Sequence, residues 1–104
     1  MEQYKIDFES MAWETPADGV RFKAYEQAGR KLRLVEFGKE FVEPDWCTKG
    51  HIGYVLEGQM EIDFNGQAIV FGPGDGIVIP AGQKHRHKGK ALTGVVRLIL
   101  VEDV

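Results

Sequence analysis

The stretch Gly74-Asp75-Gly76-Ile77-Val78-Ile79-Pro80-Ala81-Gly82-Gln83-Lys84-His85 decides how the rest of the chain is read. Gly74-Asp75-Gly76 permits a sharp reversal, because glycine reaches positive φ without a steric cost. Ile77-Val78-Ile79 is a short, continuous, β-branched run and reads as a buried strand. Pro80 ends that strand, since proline has no N–H to give to a ladder. Gly82 allows a second turn, and His85 then opens another strand.

Working outward, the same strand–turn–strand pattern repeats. Upstream, Met60, Ile62 and Phe64 alternate with Glu61 and Asp63. That is the period of a strand with one wet face. Asn65-Gly66 follows as a type I′ hairpin signal, because both central residues of that turn need positive φ. Gln67 to Phe71 returns, Glu57-Gly58 turns, and His51 to Leu56 forms a strand. Val20, Phe22 and Ala24 alternate with Arg21, Lys23 and Tyr25, and Ala28-Gly29-Arg30 joins this strand to Lys31–Phe37. Gly38 to Pro44 reads as a loop or a bend. Downstream, Ala91 to Gly94 turns into Val95–Val101, the most apolar strand, interrupted only by Arg97. Residues 1–19 read as an arm that covers a sheet edge, with a short strand over Tyr4, Ile6 and Phe8 and a turn at Thr15–Gly19. About nine short strands without a helix predict an all-β sandwich or barrel.

Composition agrees. The chain has 13 glycines and 4 prolines, which suits many turns. At 104 residues it is long enough for one core and too short for two. A net charge of −3 with 43% apolar residues excludes a disordered acidic segment and gives no basic surface for nucleic acid. No apolar run is long enough to span a membrane, and the polar N-terminus carries no secretory signal. The single cysteine, Cys47, forms no internal disulfide, which suits the cytoplasm.

Three histidines occur: His51, His85 and His87. In one strand, His85 and His87 would face the same way. Cys47 lies four residues before His51, and Asp45 two before Cys47. If 45–51 runs extended with at most a two-residue bend, Asp45, Cys47 and His51 share a face. Imidazole, thiolate and carboxylate all ligate first-row transition metals. Each residue also has a plain structural reading. A strand histidine is commonly a hydrogen-bonded surface residue, and a lone cysteine a small buried hydrophobe.

In order and punctuation these residues resemble the cupin superfamily. His51-Ile52-Gly53-Tyr54-Val55-Leu56-Glu57-Gly58, followed by Asn65-Gly66, is similar to the first cupin motif. The stretch from Gly74 to His85 matches the second, G-x5-P-x-G-x2-H, at every position through its histidine. The resemblance covers about residues 38–90. It implies a double-stranded β-helix, a small jelly-roll barrel with a metal site inside. The family's first motif runs G-x5-H-x-H-x3,4-E-x6-G. Counting back from Gly58, His51 stands at its glutamate. A three-residue spacer puts its two histidines on Asp45 and Cys47; a four-residue spacer puts them on Pro44 and Trp46, which do not ligate. Gly38 is one residue further from Asp45 than the pattern asks, and Gly89 replaces the family's asparagine. The resemblance thus implies Cys47, His51 and His85 as metal ligands, with Asp45 as a fourth ligand or a partner behind them.

This donor set suits zinc, iron, nickel or copper. Three ligands leave a coordination position open, as a catalytic metal needs. The expected function is a metal-dependent isomerase, decarboxylase or dioxygenase acting on a small polar or anionic metabolite. The metal would act as Lewis acid, with His87 or Glu57 moving a proton. The resemblance covers equally a non-catalytic small-molecule binding or sensing domain, and a cupin that has lost its metal. Arg97 is read as a carboxylate clamp or a surface arginine, and Trp46 and Tyr54 as pocket-mouth or core aromatics. The basic run Lys84–Lys90 is read as an attraction for anionic small molecules near the barrel mouth. A homodimer is expected, because the N-terminal segment and Val95–Val101 offer more apolar surface than a monomer covers.

Overall fold

The structure is a computed structural model and describes residues 4–104; the first three residues of the expected arm lie outside it. Nine strands occur among the described residues. They are β1 (Glu14–Ala17), β2 (Val20–Gln27), β3 (Arg30–Gly38), β4 (His51–Glu57), β5 (Met60–Phe64), β6 (Gln67–Phe71), β7 (Gly76–Ile79), β8 (Lys88–Ala91) and β9 (Val95–Asp103). They form a six-stranded sheet, β1-β2-β3-β9-β4-β7, and a three-stranded sheet, β6-β5-β8. Every pairing is antiparallel.

Alternation decides which side chains meet. The larger sheet turns Val35, Val55, Ile77, Ile79, Val96, Leu98 and Leu100 inward, against Met60 and Ile62 of the smaller sheet. These nine residues form the buried core. The β4–β9 contact is very close at Gly53, where any Cβ would collide with the carbonyl of Ile99 and with the Leu100 side chain.

The all-β expectation is met, and the architecture is a two-sheet β-sandwich. A closed barrel ladder is not formed: β1 and β7 end the larger sheet, and β6 and β8 end the smaller. Residues 39–50 pass from β3 to β4 along the edge of β8, paired there through the isolated bridges Val42↔Lys90 and Cys47↔His87 and not through a continuous ladder. Pro44 lies between those bridges and has no N–H to continue a ladder.

Three local expectations differ from the structure. Tyr4 to Phe8 is not a strand; a short 3-10 turn occupies Phe8–Ser10 instead. The turn expected from Thr15 is confined to Asp18-Gly19, and Glu14–Ala17 is a strand paired with β2. The chain ahead of β1 lies on β2, where Lys23 Nζ donates to the Phe8 carbonyl at 2.7 Å and stands over the Trp13 ring. These partners explain how a lysine is buried there. Third, His85 does not open a strand. Gln83–His85 is a 3-10 turn, and β8 begins only at Lys88.

Candidate metal centre

His51 is the first residue of β4, with Ile79 of β7 as its register partner. On the other side, Ile52 pairs with Val101, so one step further in the same register sets His51 opposite Glu102 of β9. Glu102 in turn pairs with Lys31 of β3. Strand pairing alone therefore lines up His51, Glu102 and Lys31 across the inner face of the larger sheet.

Cys47 and His87 are brought together by backbone. The Cys47 N–H donates to the His87 carbonyl at 2.8 Å, and the His87 N–H donates back to the Cys47 carbonyl at 3.0 Å. The imidazole of His87, only 4% exposed, packs edge-on to His51 with ring centroids 5.2 Å apart. Cys47 Sγ lies 3.7 Å from His51 Nε2. The ligand atoms of Cys47, His51 and His87 all fall within 4.8 Å of one another, and among the described residues this is the group of three or more such side chains that gathers.

The second nitrogen of each ring identifies the free one. His87 Nδ1 lies 3.0 Å from the His85 carbonyl. A carbonyl only accepts, so Nδ1 carries the proton and Nε2 keeps its lone pair. His51 Nδ1 stands 2.7 Å from Glu102 Oε2, an ion-pair distance but out of line for a hydrogen bond. Glu102 also takes the Arg33 guanidinium at 2.8 Å. Burial on its own would raise the Glu102 carboxyl, but the His51 and Arg33 contacts outweigh it and hold the pKa down at about 2. Glu102 is thus a fixed negative charge behind His51, the arrangement that commonly orients a metal-bound imidazole.

The donors fit a transition metal. A thiolate and an imidazole on one tetrahedral zinc stand about 3.6 Å apart, given bonds near 2.3 and 2.0 Å. The Cys47–His51 separation of 3.7 Å is close to that value, and the His87 ligand atom lies within 4.8 Å of both. One soft sulfur and two nitrogens suit zinc or copper better than magnesium or calcium.

Of the residues expected at the site, the structure brings together Cys47, His51 and His87. His85 enters through its carbonyl, because the 3-10 turn breaks the strand phase that would have aligned it with His87. Asp45 is exposed and lines a shallow surface hollow with Trp46. Glu57 ends β4, six residues or about 20 Å of strand from His51, exposed and 3.9 Å from Arg97. Arg97 lies on the outer face of the larger sheet and holds Glu36 at 2.8 Å. The basic run is paired on the outside of the smaller sheet. Arg86 donates to Asn65, Arg86 and Lys88 stand over Trp46, and Lys90 approaches Glu61.

The residue that sequence reading missed is Glu102. Its signal was parity: Val96, Leu98, Leu100 and Glu102 share a face, so the strand carries a carboxylate inward at its end.

Above the metal donors opens a cavity of about 300 Å³ between the sheets, lined by Lys31, Arg33, Lys49, His51 and Glu102 and floored by core side chains such as Val35, Ile62 and Leu98.

Comparison with known proteins agrees with this layout. The Cupin_2 family, described as a cupin domain, matches residues 38–102. Among curated proteins none matches the chain significantly. Several solved structures share the fold. KdgF from Halomonas sp. aligns with a TM-score of 0.80 at 23% identity over 99% of this chain and 94% of that one. An RmlC-like cupin from Shewanella frigidimarina aligns at 0.79 and 17% identity, over 98% and 91%. A putative ethanolamine utilization protein Q from Salmonella typhimurium aligns at 0.75 and 19%, over 95% and 84%. At these identities the likeness is one of fold.

Proposed function

The chain belongs to the cupin domain family, and from that premise we propose that it binds one divalent transition metal through Cys47 Sγ, His51 Nε2 and His87 Nε2 and takes a small polar or anionic metabolite in the cavity beside it. The observation that carries the reading is the convergence of three donors within 4.8 Å, with both histidine Nδ1 atoms already facing oxygen partners. A bound metal with an open position would supply Lewis-acid polarisation of a carbonyl or enol oxygen, the chemistry that isomerisation, decarboxylation and dioxygenation share. The chain's own part is to orient His51 through Glu102, to orient His87 through the His85 carbonyl, and to exclude bulk water with the apolar floor. Within this reading, Asp45 is an outlying carboxylate and Glu57 stands away from the cavity.

A second reading, a non-catalytic binding or sensing domain, draws on a specific observation. With His87 a ligand and Glu57 on the outer surface, the carboxylates that line the cavity among the described residues are Glu43, which accepts the Gly89 N–H, and Glu102, which Arg33 and His51 hold ionised; both are already engaged. The first reading requires metal; the second requires only a ligand in the cavity. Elemental analysis of untagged, dialysed protein is expected to give about one transition metal per chain. Protein that takes up no divalent metal even when supplied sinks the first reading and leaves the second.

We also propose a cytoplasmic homodimer. Among the described residues no helix is long and apolar enough to cross a membrane.

A further inference from the structure

The charges around the cavity are unevenly satisfied. Five charged side chains line it: Lys31, Arg33, Lys49, Glu43 and Glu102. Arg33 and Glu102 neutralise each other at 2.8 Å. Glu43 accepts the Gly89 N–H at 3.0 Å. Two cations remain. Lys31 has only a loose 3.6 Å contact with the exposed Glu26. Lys49 is exposed and has no ion-pair or hydrogen-bond partner among the described residues. The Nε of Arg33 is also buried without a partner.

The two lysines stand at an entrance. A surface groove of about 510 Å³ runs outside the cavity, and Lys31, Lys49, His51, Ile79 and Glu102 border both spaces. The only other charges on that groove are Arg30 and Asp103, which pair at 3.2 Å. The entrance thus carries the two lysines together with His51, and behind it the cavity is floored by apolar core side chains. Such a sequence of surfaces selects a molecule that is anionic at one end and uncharged along its body.

We propose that the cavity binds a short-chain organic acid. Lys31 and Lys49 hold its carboxylate at the entrance, and its uncharged body passes Cys47, His51 and His87 into the apolar space between the sheets. This rests on the cavity being the ligand site, as the proposed function has it, and adds the chemical class and the two residues that select it.

Calorimetric titration with hexanoate and with the isosteric neutral hexanamide tests the idea, on zinc-loaded and on chelator-treated protein at low salt. Hexanoate is expected to bind about tenfold more tightly than hexanamide in both forms, as a charge-assisted contact to ammonium groups gives. Lys49→Gln and Lys31→Gln should each reduce that preference about fivefold and leave hexanamide affinity unchanged, whereas Lys49→Arg should retain it. Acetate, which has no body to bury, should bind weakly. Equal binding of acid and amide, an undiminished preference in both glutamine variants, or no heat from hexanoate at millimolar concentration overturns the proposal. A preference present only with zinc assigns the carboxylate to the metal. That result overturns the lysine assignment while supporting the metal centre. Protein that binds no zinc yet keeps the lysine-dependent preference removes the metal reading and upholds this one.

Discussion

The two ring nitrogens of His51 face different partners: Nδ1 a half-buried carboxylate, Nε2 the sulfur of Cys47. A carboxylate behind an imidazole raises its basicity and fixes its orientation, and losing such a partner typically lowers metal affinity about 10–100-fold. Glu102→Gln keeps the shape and removes the charge, so zinc affinity, measured by competition against a chromophoric chelator, is expected to fall by that factor while one zinc per chain still binds. Unchanged affinity would reduce Glu102 to a partner of Arg33. Cys47 supplies a second prediction at this scale. A thiolate bound to metal is shielded from electrophiles, and a free thiol near pKa ~8.5 is not. Alkylation of Cys47 should therefore be slow with zinc present and faster after chelation; equal rates would place the sulfur outside the metal site. Cys47→Ser should weaken zinc more than manganese, because a hydroxyl replaces a soft donor poorly.

Strand β4 carries the site only because β9 can approach it closely. Gly53 is the position where that approach is made, and Gly53→Ala would drive a methyl group into the backbone of Ile99. A loss of about 1–3 kcal/mol is expected, the usual range for an overpacked site, read as a lowered urea midpoint. On the outer face of the same sheet Glu36 joins β2, β3 and β9 by accepting Arg21 at 2.9 Å and Arg97 at 2.8 Å. Burial alone would raise the Glu36 carboxyl, but the bonds to Arg97 and Arg21 outweigh it and hold it below the ordinary 4.5. The folded state then binds its proton less readily than the unfolded state. The contribution is complete above pH 4.5 and is lost as pH falls through the lowered value. Glu36→Gln should flatten the decline of the urea midpoint below that pH; an identical acid profile would show the three-strand contact to be without weight. Legibility in the sequence follows the same division into elements. The β5–β6 hairpin was readable because Asn65 and Gly66 both adopt positive φ, at 57° and 104°. Cys47 and His51 were readable from residue type and spacing. The exchange of His87 for His85 was not, because a three-residue 3-10 turn shifts side-chain phase without leaving a mark in hydrophobic periodicity. Glu102 was missed for another reason: its partners Arg33 and His51 are 69 and 51 positions away, and only sheet order makes them neighbours.

At the scale of the whole molecule, the sandwich covers one face of the larger sheet and leaves much of the other open. The rows of that outer face run from strand to strand without a break: Val78, Ile52, Val101 and Leu32 in one, and Tyr54, Ile99 and Leu34 in the next. Val78 is 78% exposed, Ile52 55% and Tyr54 49%, and Leu56 extends the patch along β4. Single exposed aliphatics are ordinary, but two adjoining rows of them across β7, β4, β9 and β3 form a contiguous apolar surface of the kind that marks an interface. Charged pairs border it at both ends, Arg30 with Asp103 and Arg97 with Glu36, giving the polar rim that such interfaces carry. In the homodimer proposed above, a second copy of the chain related by a two-fold axis would present the same rows and cover them symmetrically. The groove outside the cavity shares Ile52 and Val101 with these rows, so a second copy on the outer face would border the Lys31–Lys49 entrance. Sedimentation equilibrium is expected to give twice the chain mass of 11.7 kDa. Val78→Asp, which places a charge in the middle of the desolvated surface, should shift the protein to one-chain mass while leaving metal content unchanged, because Val78 points away from the metal donors. Wild-type protein that sediments as a single chain at tens of micromolar would overturn the homodimer.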